Sequence, residues 1–187
     1  MAGGNEPFVK SIKLAWWRER LDELGSRPPP PEPILQSAAR ELLPSGVTGA
    51  RLAVMTEGWD VLASAETLGP GELAVYAERR GGGLFRLSAQ LLGVVDADAV
   101  VDAAGRGWAL IDLARHSSDE GEASRALVAA AECLAGDGAR IWPQQLRSLG
   151  MLGALARRDS SANPASFERQ GSPLRMFRML HHHLTGR

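Results

Sequence analysis

Tyr76-Ala-Glu-Arg-Arg-Gly-Gly-Gly-Leu-Phe85 holds a glycine triplet inside a helical pattern that continues on both sides of it. A glycine in a helix interior costs about 1 kcal/mol relative to alanine, so three in a row need a compensating reason. The physical reason is close backbone approach, either to a neighbouring helix or to a ligand. Helix packing is the plainer reading, and it makes the stretch one member of a helix bundle.

The segments around it agree. Gly69-Pro70-Gly71 breaks the chain just before, so the helix that contains the triplet is expected over 72–92. Upstream, 8–24 carries Leu14, Trp17, Leu21 and Leu24 on one stripe, and Phe8, Ile12 and Trp16 on a second stripe beside it. Two apolar stripes predict a mostly buried helix. Gly25 ends it, and the four prolines after Arg27 form a stiff spacer. Pro33 opens a helix to about 43. A third helix is expected over 47–64, with Leu52, Met55, Trp59 and Leu62 facing inward. Downstream, helices are expected over 97–116, 119–135 and 143–158, then a polar, mobile loop over 159–171 and a short basic helix over 174–184. Strand-type alternation is scarce. The expected fold class is all-α: one domain over 1–187, a single bundle of seven to eight helices.

Composition bounds the function. The chain has 187 residues, of which 44% are hydrophobic, enough for a core without disulfides or metals. Its 21 Lys and Arg nearly balance 22 Asp and Glu, which argues against a nucleic-acid binder held by a general basic field. The single cysteine, Cys133, fits a reducing compartment and reads as a small buried filler. No apolar run reaches the ~20 residues of a membrane span, and no signal peptide is visible. The expected location is the cytoplasm, with peripheral contact to the inner membrane allowed. No nucleotide loop, zinc spacing or Ser/His/Asp nucleophile motif is present.

One segment concentrates polar chemistry. Gly107-Trp-Ala-Leu-Ile-Asp-Leu-Ala-Arg-His116 is followed by Ser117-Ser-Asp-Glu120. Arg115 and His116 lie three and four residues after Asp112, and Asp119 lies three after His116. One continuous helix would place all four on one face. That face reads either as a solvated helix end or as a cluster lining a cavity.

At these residues a family resemblance emerges. Leu14-Ala-Trp-Trp-Arg-Glu-Arg-Leu21 resembles the Ala-Trp-Arg helix of the squalene/phytoene synthase family. The segment 76–93 is similar to that family's Tyr, Ala-Gly and apolar run, with Gly82 at the inner glycine and Phe85 where a second small residue is usual. The segment 107–120 looks like the second acidic motif. Trp142-Pro143 and the helix after it resemble a bacterial side branch. Order and approximate spacing are kept over more than half of the chain.

The resemblance implies a terpenoid-synthase-like helical fold with a cavity edged by Trp17, Tyr76, Gly82, Phe85 and Trp108. In active members, two facing Asp-rich motifs hold Mg²⁺, which neutralises the departing diphosphate. Here the first motif has no counterpart before Leu14, where Glu6 is the sole acid, and the family's N-terminal helices are missing. In the second motif, His116 and Glu120 stand where the metal-binding aspartates are expected. Asp112 replaces an Asn, Ala109 replaces a frequent Gln, and Asp119 is an extra carboxylate. Imidazole is a poor Mg²⁺ ligand. The expectation is a catalytically degenerate member that needs no cofactor and binds an isoprenoid or lipid-like molecule or a protein partner. A related mitochondrial branch assists respiratory complex I assembly, so an assembly role is one form of this. The alternative is an active Mg²⁺-dependent prenyltransferase, completed by another subunit, with Asp119 and Glu120 on the metal. The Trp16-Trp17 helix is the candidate contact for a partner or a second copy. At the far end, Leu174, Phe177 and Leu180 with Arg175, Arg178, Arg187 and His181-His182-His183 read as a solvated basic helix or as one that lies on an anionic membrane.

Overall fold

The structure, a computed structural model, describes residues 6–95, 99–136 and 141–187, without the side chains of residues 6–8 and 165. Among the described residues its regular structure is all helical, with no strand. The described residues form eight helices when pieces that run on from one another are joined. The chain divides into two compact units between Glu66 and Thr67.

The first unit contains α1 (Glu6–Asp22), α2 (Pro33–Glu41), α3 (Gly49–Val54) and α4 (Thr56–Ser64). The proline spacer leads to Glu32, whose carboxylate accepts the Leu35 N–H at 2.8 Å and caps α2, with Pro33 in the first turn as expected. Leu24, Leu35 and Ala38 form the core, with Trp17, Leu21 and Leu52 packed on it. This is one stripe of α1. The second stripe is not buried: Ile12 and Trp16 are exposed, and the Phe8 side chain lies outside the described residues. The expectation of a mostly buried helix is corrected accordingly. Only one side of α1 meets α3 and α4, and Trp16 makes an edge-on contact with Trp17, ring centres 5.3 Å apart. The expected helix 47–64 breaks at Met55. The reset register turns Ala53, Thr56 and Gly58 inward and leaves Trp59 exposed, contrary to its expected place.

The second unit contains α5 (Pro70–Tyr76), a π-helical turn (Ala77–Gly82), α6 (Gly83–Leu91), α7 (Ala99–His116), α8 (Glu120–Leu134), α9 (Arg147–Asp159) and α10 (Pro173–Thr185). The expected start of α7 at Ala97 lies outside the described residues. Helix α7 packs against the π turn, α6, α8 and α9, and its Val101, Ala104, Leu110 and Ile111 are buried. Phe85, Ala89, Leu146 and Leu149 complete this core, with Trp108 and Trp142 at its edge.

The glycine triplet is explained here. The run is continuous but wound with an i→i−5 bond, the Gly83 N–H donating to the Glu78 carbonyl. Gly81 lies against α7 at Gly105. A Cβ on Gly81 would sit 2.2 Å from the Gly105 carbonyl oxygen and 2.8 Å from the Ala109 Cβ. Close approach to a neighbouring helix is therefore what the missing side chain permits. Cys133 is half-buried on α8, and burial pushes its thiol above the ordinary value.

Candidate functional site

The acidic segment does not form one helical face. Helix α7 stops at His116, so Asp119 is not the next residue on its spiral. Asp119 is the N-cap of α8 instead, where its carboxylate accepts the Glu122 N–H at 2.6 Å. His116 is exposed. Its Nδ1 lies 2.7 Å from the Asp112 carbonyl oxygen and 3.5 Å from the Asp112 carboxylate. Glu120 is exposed in the first turn of α8. Arg115 turns the opposite way, into the protein. The expected four-residue face is thus corrected to two separate groups. Among the described residues, no three His, Cys, Asp or Glu side chains are placed to hold one metal ion.

Arg115 belongs to a buried ionic group that spans three elements. Asp159, the last residue of α9, accepts from Arg115 Nη2 and from Arg175 Nη1 on α10, each at 2.6 Å. All three side chains are no more than 9% exposed. Two arginines on one carboxylate leave a net positive charge, which the surroundings partly answer. Arg115 donates to the Glu168 carbonyl at 3.0 Å and lies over the Phe167 ring at 4.4 Å. Glu168 itself binds Arg158 and Ser172. The segment 159–171, expected to be a mobile loop, is therefore fastened at Asp159, Phe167 and Glu168. Its polar letters are used in internal contacts that no helical period announces. Arg157, beside Arg158 at the end of α9, also reaches outward and donates to the Leu134 carbonyl of α8.

Beside this group is a small cavity of about 160 Å³, edged by Trp108, Asp112, Arg115 and Met179. It gathers three of the expected site residues. Tyr76, Gly82 and Phe85 line neither this cavity nor the larger groove described below. Phe85 is core, with its ring centre 5.9 Å from that of Trp108. Tyr76 is buried. Burial pushes its hydroxyl up to about 12, while Arg80 pulls down and Asp112 pushes up by smaller amounts. Gly82 lies under an ion-pair network in which Glu78 meets Arg86 at 2.5 Å and Arg106 at 2.8 Å, and Asp102 meets Arg106 at 2.6 Å and also pairs with Arg86. Burial would raise the Glu78 carboxyl, but the hydrogen bonds and charges of Arg86 and Arg106 outweigh it and hold the group below its ordinary value. Trp17 belongs to the first unit and packs on its Leu24–Leu35 core.

The larger groove, about 560 Å³, lies between α9 and α10 and was not located by the sequence reading. Its apolar walls are Trp142, Leu174 and Phe177, and its charged lining is cationic: Arg157, Arg158, Arg178 and Arg187, with the imidazoles of His181 and His182 beside them. Among the described residues, no Asp or Glu side chain lines it. Arg157 and Arg158 are engaged as described, whereas Arg178 and Arg187 are in no ion pair among the described residues. Helix α9 supplies a floor without side chains at Gly150. A Cβ there would fall 2.2 Å from His182 Nε2 and 2.7 Å from the Trp142 ring.

His182 is 2% exposed, and among the described residues neither ring nitrogen has a partner in good hydrogen-bond geometry. Buried polar groups are ordinarily paired, so this imidazole stands out. Burial lowers its pKa. The Arg187 main chain opposes that shift, and Arg147 and His181 add to it. The Trp142 ring meets it edge-on, ring centres 6.3 Å apart. The signals in the sequence were Trp142, the run of three histidines and the basic end. Periodicity could not tell which histidine turns inward. No family model, curated protein or solved structure matches the chain.

Proposed function

We propose that the chain is a non-catalytic binding protein of squalene/phytoene synthase ancestry, which holds an isoprenoid or lipid-like molecule with an anionic head in the groove between α9 and α10. The observation that carries this reading is the groove's lining. Apolar and aromatic walls suit a hydrocarbon chain, and a rim of arginines with no Asp or Glu among the described residues suits a carboxylate or phosphate. The volume falls in the range of small-molecule sites, about 300–1,000 Å³. The non-catalytic part is supported by how the acidic motif is used, with Asp119 spent on a helix cap and His116 turned to its own helix end.

The test is calorimetric titration of the full chain with farnesyl diphosphate, with and without Mg²⁺. The expected result is micromolar binding that needs no metal and releases no pyrophosphate. Arg178→Ala and Arg187→Ala should each weaken it by about tenfold, the ~1.4 kcal/mol scale of one charge-assisted contact. Mg²⁺-dependent turnover would instead favour the prenyltransferase reading.

A further inference from the structure

Helix α10 is inside out. A surface helix normally turns its apolar stripe to the core and its polar side to water. Here the buried residues are Arg175 and His182, with Met179 half-buried between them. Leu174, Phe177, Leu180 and Leu184, spaced at helical intervals along one side, are 54–67% exposed. The orientation is fixed from both ends. Arg175 is tied to Asp159, and Ser172 caps the first turn by accepting the Arg175 N–H at 3.2 Å. At the other end Arg147 donates to the carbonyls of His183 and Leu184 at 3.0 Å each, and the Trp142 N–H donates to the Gly186 carbonyl at 2.9 Å. The apolar stripe is therefore held outward by polar anchors, and α10 cannot roll it under without breaking them. A contiguous exposed stripe of this kind marks a contact surface.

The charge around the stripe selects the partner. Helix α10 contains no acidic residue. Arg178, His181 and His183 flank the leucines, and Arg187 follows. A second copy packed on this face in a two-fold pair would set like charges against each other. A bilayer with anionic headgroups answers both features at once, because it takes apolar side chains below the headgroups and basic ones among them.

We propose that the exposed stripe of α10 docks the protein on an anionic phospholipid surface. The ligand assigned to the groove does not enter this argument. Leu180 and Leu184 are in the stripe but do not line the groove, so the two readings can fail separately.

The experiment is flotation of the full chain with vesicles of phosphatidylcholine alone or mixed with phosphatidylglycerol. The expected result is co-flotation with the anionic vesicles only, released by high salt. The double substitution Leu180→Ser/Leu184→Ser should weaken it by about tenfold or more, with the helical circular dichroism and farnesyl diphosphate binding retained. Equal binding to both vesicle types would overturn the proposal. So would no binding to either, an unaffected double variant, or sedimentation showing that the stripe instead joins two copies. If the double variant loses its fold, Arg178→Glu is used in its place, and unchanged vesicle binding by that variant would also overturn it.

Discussion

Gly81 and Gly105 face each other across two helices so closely that a methyl group on Gly81 would meet the Gly105 carbonyl oxygen at 2.2 Å. The obstacle is backbone and not a flexible side chain, so it cannot step aside. Gly81→Ala is expected to push α7 away from the π turn and to destabilise the second unit by about 3 kcal/mol, the upper part of the overpacking range. Chemical denaturation checks this. Gly71→Ala in α5, where a new Cβ would meet nothing within 4 Å, should cost much less.

Asp159 is the single carboxylate between Arg115 and Arg175. Asp159→Asn leaves two buried guanidinium groups without a counter-charge, and breaking a buried pair in this way costs about 3–5 kcal/mol. The urea midpoint should fall accordingly, and limited proteolysis should open the segment 159–171, whose fastening starts at this residue.

His182 sets a pH window. Burial keeps its folded pKa below the ordinary histidine value of about 6.5. Below that pH the unfolded chain takes up a proton that the folded chain refuses, so stability is fully present above about pH 6.5 and falls as the pH drops beneath it. Urea unfolding at stepped pH should show this slope in the protein and not in His182→Leu. Glu78 adds a separate loss at lower pH. Its carboxyl is held below about 4.5, so its contribution is present above that value and disappears as the Arg86 and Arg106 contacts are protonated away.

Asp119 is a cap and not a metal ligand in this account. Asp119→Ala should cost about 1 kcal/mol of stability, the usual value of a lost N-cap. It should leave farnesyl diphosphate binding unchanged whether or not Mg²⁺ is present. Thermal unfolding beside a calorimetric titration reads both.

Much of this was written in the local pattern. The Pro33 start of α2, the break after Leu92 and the α7–α8 turn follow from proline, glycine and apolar spacing. The glycine triplet announced a close approach, although the π turn that accompanies it has no sequence period. Tertiary choices were not legible. Two apolar stripes on α1 gave no sign of which one meets α3 and α4. On α10, Leu174, Phe177 and Leu180 read as the apolar side of a solvated or membrane-lying basic helix, but nothing local showed that Arg175 and His182 face inward, because Asp159 and the Gly150 floor lie on another helix. The acidic motif misled because Asp112 to Glu120 was counted along one spiral that ends at His116.

We propose above all that an anionic amphiphile occupies the groove between α9 and α10. A photoreactive isoprenoid diphosphate, cross-linked to the full chain and located by peptide mass spectrometry, tests it most directly. Labels on Trp142, on the 150–158 stretch or on Phe177 are the predicted result. Labelling confined to Tyr76, Phe85 and Trp108 would place the ligand among the core helices instead and contradict the account.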